Sequence, residues 1–511
     1  MDLKTECIRN MPRPTYKWKR FWCPRTGHMS LSDGGYLDDP DLEWGRYSNP
    51  DVLPFETIER AQCLGLLGEP GMGKTCTIKQ HRAVVDRQVQ EKGGQTLWLD
   101  LRSYGSEDRL IRNLFECDAF LIWTGGEHSL HVFLDSLDEC LLRIDTLAAL
   151  LVDEFQRYTN LLHRLRLRIV CRTAVCPNAL EEGLKVLWGE DAVEVFELAP
   201  LRRRDVMEAA QAHDIEADAF MREVDRKAVV PLAIKPVTLN FLLNMYHKNG
   251  GFPSTQTELY RQGCRLLSQE TNANRRAAGR TGQLTAEQRM GVAARIAAVT
   301  IFANRATVWT APDMGDIPSE DASLHQLYGG NESVNGKDFE VNEAAVRETL
   351  DTGLFSSRGS QRMGWTHQSY AEFLAAHYLV QHHMPMAQMM SLIVHPADSE
   401  RKLVPQLHET AAWLAGMLPA LFREIMSTDP AVLLRSDVAT ADVRDRAALV
   451  ESLLRFYDEE RLLDREWSVR QRYNKLAHPG LAEQLRPYIC ERTKATTVRN
   501  VAIDIAEACT L

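Results

Sequence analysis

Long apolar runs are missing from this sequence. No stretch of about 18 uninterrupted apolar residues occurs, so no transmembrane helix is expected. The N-terminus also lacks the apolar core of a secretory signal peptide. An excess of positive charge is missing too: 60 Lys and Arg stand against 70 Asp and Glu, and the net charge of −10 argues against bulk electrostatic binding to nucleic acid while leaving room for a local basic patch. The 11 cysteines form no paired framework. Cys63, Cys140 and Cys171 sit in or beside apolar runs, where free thiols bury as small hydrophobes. An odd, unpatterned set points to a reducing cytoplasm. Cys23 with His28, and Cys171 with Cys176, have no second pair at zinc-site spacing, so no structural metal is expected.

What is present is an ordinary globular composition, 44% hydrophobic, on a chain of 511 residues, long enough for several domains. The most specific run is Gly68-Glu69-Pro70-Gly71-Met72-Gly73-Lys74-Thr75. An apolar strand, Cys63-Leu64-Gly65-Leu66-Leu67, precedes it, and a helix from Thr75 to Gln90 follows, stopping at Gly93-Gly94. That order is what a phosphate-binding loop requires. Its glycines let successive backbone N–H groups converge on phosphate oxygens, and the helix N-terminus adds partial positive charge. Lys74 reaches the outer phosphates, Thr75 holds Mg²⁺, and Cys76 follows within the binding run. The chain is expected to bind a nucleoside triphosphate.

A second run, His131-Val132-Phe133-Leu134-Asp135-Ser136-Leu137-Asp138-Glu139, reads as a strand with Asp135 at its C-terminal edge, where ligands bind in open α/β sheets. Asp135 is placed to hold Mg²⁺ opposite Thr75, with Asp138 or Glu139 polarising an attacking water. Thr96–Leu101, Arg168–Cys171 and Val193–Leu198 read as further strands separated by helices, giving a parallel, doubly wound sheet. Arg172 ends its strand at the same edge as Asp135, in a position to sense a terminal phosphate.

Phe133-Leu134-Asp135-Ser136-Leu137-Asp138-Glu139 resembles the magnesium-binding motif of NACHT-type NTPases, within the STAND class of signalling ATPases. That motif has a small residue after the magnesium aspartate and two acidic residues after a hydrophobic one. The resemblance continues in Phe196-Glu197-Leu198-Ala199-Pro200-Leu201, with Asp205 after it, which looks like the linker into a helical domain. Lys235-Pro236-Val237-Thr238-Leu239 resembles the segment whose proline packs on adenine, with Pro231 as a nearby competitor. Residues 353–366 read as a hairpin turning at Gly359-Ser360. His367 follows, and a capping box, Ser369-Tyr370-Ala371-Glu372, starts a helix through Val380. This resembles the end of a NACHT winged-helix domain, which implies that His367 contacts the β-phosphate of bound ADP.

The ends are less specific. Residues 1–60 carry Tyr16, Trp18, Phe21, Trp22, Tyr36, Trp44, Tyr47 and Phe55, interleaved near the start with Lys17, Lys19, Arg20 and Arg25. Such a pattern suits nucleic-acid stacking, but packing onto the neighbouring domain is the expectation. Beyond residue 385 the chain reads as helices. Leu481, Leu485, Tyr488 and Ile489, then Val498, Val501, Ala502, Ile505 and Cys509, recur at helical spacing, similar to the opening of a HEAT-like array. The last of these helices reaches the final residue, which suggests a short family member or one that continues into a longer array.

Together these readings give an α/β fold: a P-loop NTPase parallel sheet of ASCE type at 61–200 after the 1–60 segment, a helical domain at 201–280, a winged-helix domain at 281–382 and HEAT-like helices at 383–511. The resemblance implies a slow Mg²⁺-dependent ATPase serving an ATP/ADP switch. It would be closed with ADP and would form a homo-oligomer when a protein or nucleic-acid trigger permits exchange. Its prokaryotic relatives suggest antiviral defence by analogy. The competing reading is a DNA- or protein-remodelling motor.

Overall fold

Alternating burial along a short central strand sets the architecture. The computed structural model describes residues 16–91, 93–104, 106–141, 146–173, 176–269, 282–311, 317–358, 361–438, 441–462, 470 and 472–510, without the side chains of Arg102 and Glu139. The chain divides into two compact units. One comprises Met1–Phe252, Leu266–Ala286 and Leu350–Gly364; the other comprises Pro253–Arg265, Glu287–Thr349 and Trp365–Leu511.

The first unit is built on a seven-stranded sheet of β1 (Phe21–Pro24), β2 (Leu53–Pro54), β3 (Cys63–Leu67), β4 (Gln95–Asp100), β5 (Leu130–Asp135), β6 (Leu165–Val170) and β7 (Val193–Leu198). The spatial order is β2-β1-β7-β3-β6-β5-β4. From β7 to β4 every pairing is parallel, as expected. What the sequence did not suggest is the antiparallel extension: β1 pairs with β7 and β2 with β1, so part of the aromatic N-terminal segment completes the sheet.

Successive strand side chains face opposite sides. Cys63 and Leu67 of β3 join one core with Val132, Leu134, Leu151, Phe155 and Leu184. Leu64 and Leu66 join another with Trp22, Phe133, Phe196 and the helix α1 (Lys74–Glu91), through Ile78, Val85 and Val89. A sheet buried on both faces reads as near-continuous apolar runs, which is how β3 and β5 look in sequence. Of the N-terminal aromatics, Trp22, Tyr36 and Phe55 are buried, in line with packing. Trp44 and Tyr47 are not: one helical turn apart on Glu43–Ser48, they are 81% and 82% exposed.

After β7 come the helices Arg203–Ala212, Ala217–Arg226 and Val230–Ala233. Buried Arg202 fastens them to the N-terminal segment, lying 2.8 Å from Asp205 and 2.9 Å from Asp39. A further helix, α2 (Pro236–Asn249), starts with proline, whose fixed φ suits the first turn, and ends at Gly250 in the left-handed conformation.

In the second unit, strands Asn331–Val334 and Lys337–Glu340 form a hairpin turning at Asn335-Gly336, both with positive φ. Buried Glu332 anchors it, accepting from Tyr378 at 3.2 Å and lying 2.8 Å from His382 Nε2 and 3.5 Å from Arg295. Tyr378 belongs to the helix α3 (Gln368–Gln381), and His382 follows its last residue. Further helices follow at His408–Met417, Pro419–Thr428, Val443–Asp458, Leu481–Cys490 and Thr496–Ala508. Phe373 of α3 packs edge-on against Trp413, with ring centroids 5.2 Å apart. Leu481, Leu485, Val498, Val501, Ala502 and Ile505 are buried. Tyr488 stays at the rim, where its hydroxyl donates to Glu451.

The start of α3 corrects one expectation. Its cap is His367 rather than Ser369: the histidine is extended, and its Nδ1 accepts from the Ser369 N–H at 3.1 Å. A ring nitrogen two residues upstream reaches the orphan donor first, so Ser369 lies inside the first turn and no box with Glu372 forms. Strands Phe355–Ser357 and Arg362–Trp365 lie where the hairpin was expected. Its turn residues Gly359 and Ser360 lie outside the described residues.

Phe133 is fully buried beneath α1. Replacing it with alanine should cost about 3–5 kcal/mol, read from urea unfolding, while Phe133→Leu should cost less.

Candidate functional site

β3 ends at Leu67, the loop Gly68–Gly73 turns, and α1 opens at Lys74, so Lys74, Thr75 and Cys76 form a first turn whose N–H groups have no intrahelical acceptor. Two positions require glycine. Gly71 and Gly73 have φ of 82° and 88°, and a Cβ at Gly71 would stand 2.4 Å from Val237. Within the loop Glu69 and Met72 are buried, Pro70 is half-buried, and Cys76 on the helix is exposed. Lys74 Nζ donates to the carbonyls of Gly68 and Glu69. Burial pulls its pKa down and the Asp138 carboxylate opposes the shift.

β6 lies between β3 and β5. Across its end Thr75 Oγ1 donates to Asp135 Oδ1 at 3.3 Å, the pairing expected for a shared cation. Ser136 takes a positive φ of 64°, a conformation that bulky side chains resist, and this sharp turn starts the short helix Leu137–Leu141. Asp138, in its first turn, is buried with Oδ2 2.9 Å from Arg172 Nε. Arg172 Nη1 lies 3.5 Å from Asp351 Oδ2. Arg172, expected at a terminal phosphate, is therefore held between two carboxylates, and Asp138, expected to polarise water, is engaged by a cation. The Glu139 side chain lies outside the described residues. No group of three or more His, Cys, Asp or Glu that could by itself hold a metal occurs among the described residues. Mg²⁺ needs no such cage, because it keeps waters and phosphate oxygens and takes one or two protein ligands.

Pro236 reaches the loop as well: its ring lies 3.7 Å from the point where a Cβ on Gly73 would stand. Pro231 is buried within Val230–Ala233. His367 belongs to the second unit. Because Nδ1 accepts at the cap, the neutral ring carries its proton on Nε2.

Three contributors escaped sequence reading. Buried Arg20 donates to Met72 O at 3.0 Å and to Ala199 O at 2.7 Å, tying the loop to the linker after β7. Burial lowers its pKa to about 10, so it stays cationic at neutral pH. Residues 17 to 20 alternate in exposure as an extended segment does, which turns Arg20 inward. Lys235, also buried, donates to Gly353 O at 2.7 Å. Glu197 stands beside Leu67 in the β3–β7 register, and burial, reinforced by Glu69 and opposed by Arg25 and Arg358, pushes it up to about 7. Cys171 and Cys176 meet as hydrogen-bonded thiols, with burial raising Cys171.

No protein-family model matches the chain, and no curated protein matches it.

The Glu197 shift gives a signed prediction. A folded-state pKa of about 7 against 4.5 means that the folded chain holds a proton the unfolded chain releases, so this contribution is complete below 4.5 and lost as pH rises through 7. Glu197→Gln should flatten that decline and be more stable than the parent above neutrality by roughly 1–3 kcal/mol. Urea unfolding at acid and alkaline ends of the window checks it.

Proposed function

We propose that the chain is an ATP/ADP-binding signalling switch of NACHT/STAND type, with helical, winged-helix and C-terminal helical regions following a P-loop core. One observation carries this reading: a glycine loop opening α1 at Lys74, with Thr75 3.3 Å from Asp135 across the end of β6. The strand interposed between β3 and β5, leading to Arg172, supports the ASCE form of that core.

The roles follow from chemistry. Backbone N–H groups of the loop and first turn of α1 donate to phosphate oxygens, and Lys74 leaves its carbonyl partners for the outer phosphates. Thr75 and Asp135 would hold Mg²⁺, which when bound neutralises phosphate charge. Pro236 and Val237 pack beside the loop, in keeping with the adenine role implied for Pro236. Glu139 takes over the polarisation of water, since Asp138 is occupied by Arg172. An arginine held by carboxylates is less free to follow a transferring phosphoryl group, in keeping with slow turnover. The role of His367 is carried from the resemblance alone, with Nε2–H as the donor to the β-phosphate. Oligomerisation on exchange, with a protein or nucleic-acid trigger, belongs to the same reading.

The purified chain should carry ADP and hydrolyse ATP far below the ~1–10³ s⁻¹ of ordinary enzymes. Lys74→Ala should abolish nucleotide retention. Fast turnover strongly stimulated by DNA would overturn the switch in favour of a remodelling motor.

His367→Ala should loosen ADP and promote self-association, whereas His367→Asn, which can still cap α3, separates that effect from helix capping. Unchanged nucleotide retention and oligomeric state in the alanine variant would remove the latch role.

A further inference from the structure

Arg172 lies between two carboxylates of different origin, and they differ in what they can do. Asp138 belongs to the nucleotide-site strand–helix turn, whereas Asp351 arrives with the segment Leu350–Gly364 of the first unit. That segment is anchored near the phosphate loop by its own backbone. Lys235 Nζ donates to Gly353 O at 2.7 Å, and a Cβ on Gly353 would lie 3.3 Å from Pro70 O. Asp351, two residues before this anchor, is thereby held with its carboxylate 3.5 Å from Arg172 Nη1 and its side chain 24% exposed.

We infer that Asp351 makes this site prefer a nucleoside diphosphate to a triphosphate, acting as a positioning residue through Arg172; the inference rests on the nucleotide-site reading above. The reasoning is one of charge and of donor geometry. Asp138 and Arg172 both act electrostatically on Lys74, so the group lies in one field. Glu69 acts on Lys74 as well, and Asp135 lies 3.3 Å from Thr75, so carboxylates already outnumber the two cations Lys74 and Arg172, and Asp351 adds to that excess of negative charge. A guanidinium offers its donors in one rigid fork. Here Nε faces Asp138 and Nη1 faces Asp351. An outermost phosphoryl group that sought Arg172 would compete with Asp351 for the Nη1 side and would bring more negative charge beside that carboxylate. A diphosphate, held by the loop and Lys74, makes no such demand. Asp351 therefore weakens triphosphate binding selectively.

The test compares affinities of the full chain, with Mg²⁺, for ADP and for a non-hydrolysable triphosphate analogue, measured by calorimetry together with thermal unfolding. Asp351→Asn keeps the shape and removes the charge. It should shift the ADP-to-triphosphate affinity ratio toward the triphosphate by roughly tenfold, within the range of ordinary coupling between sites. Asp351→Glu should keep the parent ratio. In an Arg172→Gln background the Asp351→Asn shift should vanish. A parent chain that binds neither nucleotide would overturn the nucleotide-site reading itself. A parent that binds both, with an unchanged ratio in Asp351→Asn, overturns the Asp351 inference alone. So does a variant whose two affinities fall together with its melting temperature, because that is what a purely structural contact would give. A shift that persists in Arg172→Gln overturns action through Arg172.

Discussion

Everything at the candidate site depends on β6 lying between β3 and β5. Parallel strands end at a common edge, and neighbours stand roughly 4.8 Å apart. A residue in the first turn of α1 must therefore reach over one strand end to meet the aspartate of β5. Thr75 and Asp135 do so at 3.3 Å. The intervening strand leads into Arg172 at the same edge, and this is what gathers a hydroxyl, carboxylates and two cations into one place.

Such a concentration of buried charge is costly unless it is internally matched. The matching is visible residue by residue: Arg172 with Asp138 and Asp351, Lys74 on loop carbonyls, Arg20 on Met72 and Ala199, Lys235 on Gly353. Several of these contacts join segments far apart in sequence. The glycine loop Gly68–Gly73 is consequently supported from the residues before β1, from α2 and from the segment that carries Gly353.

Much of this was legible beforehand because its signals are local. β3 and β7 fall where the apolar runs place them, α1 begins one residue earlier than read, and Thr75 and Asp135 meet as their motifs require. The errors also have local causes. A Ser-x-x-Glu pattern suggested a cap at Ser369, yet an imidazole two residues upstream took the same N–H. Aromatic content alone did not distinguish buried Trp22 from exposed Trp44, because a strand in the sheet and a short surface helix share that composition.

By itself, the sequence determined the strand–loop–helix at Gly68–Thr75, the acidic strand end at Asp135 and the apolar periodicities that make an α/β core, since each depends on residues within a few positions of one another. Tertiary structure alone decided that Arg172 would be shared by Asp138 and Asp351, that Arg20 would hold Met72, and that Glu197 would be buried within the field of Glu69. Those outcomes depend on strand order and on contacts spanning up to 179 residues, as between Arg172 and Asp351. Coulombic and hydrogen-bond interactions act through space, and no spacing along the chain encodes them.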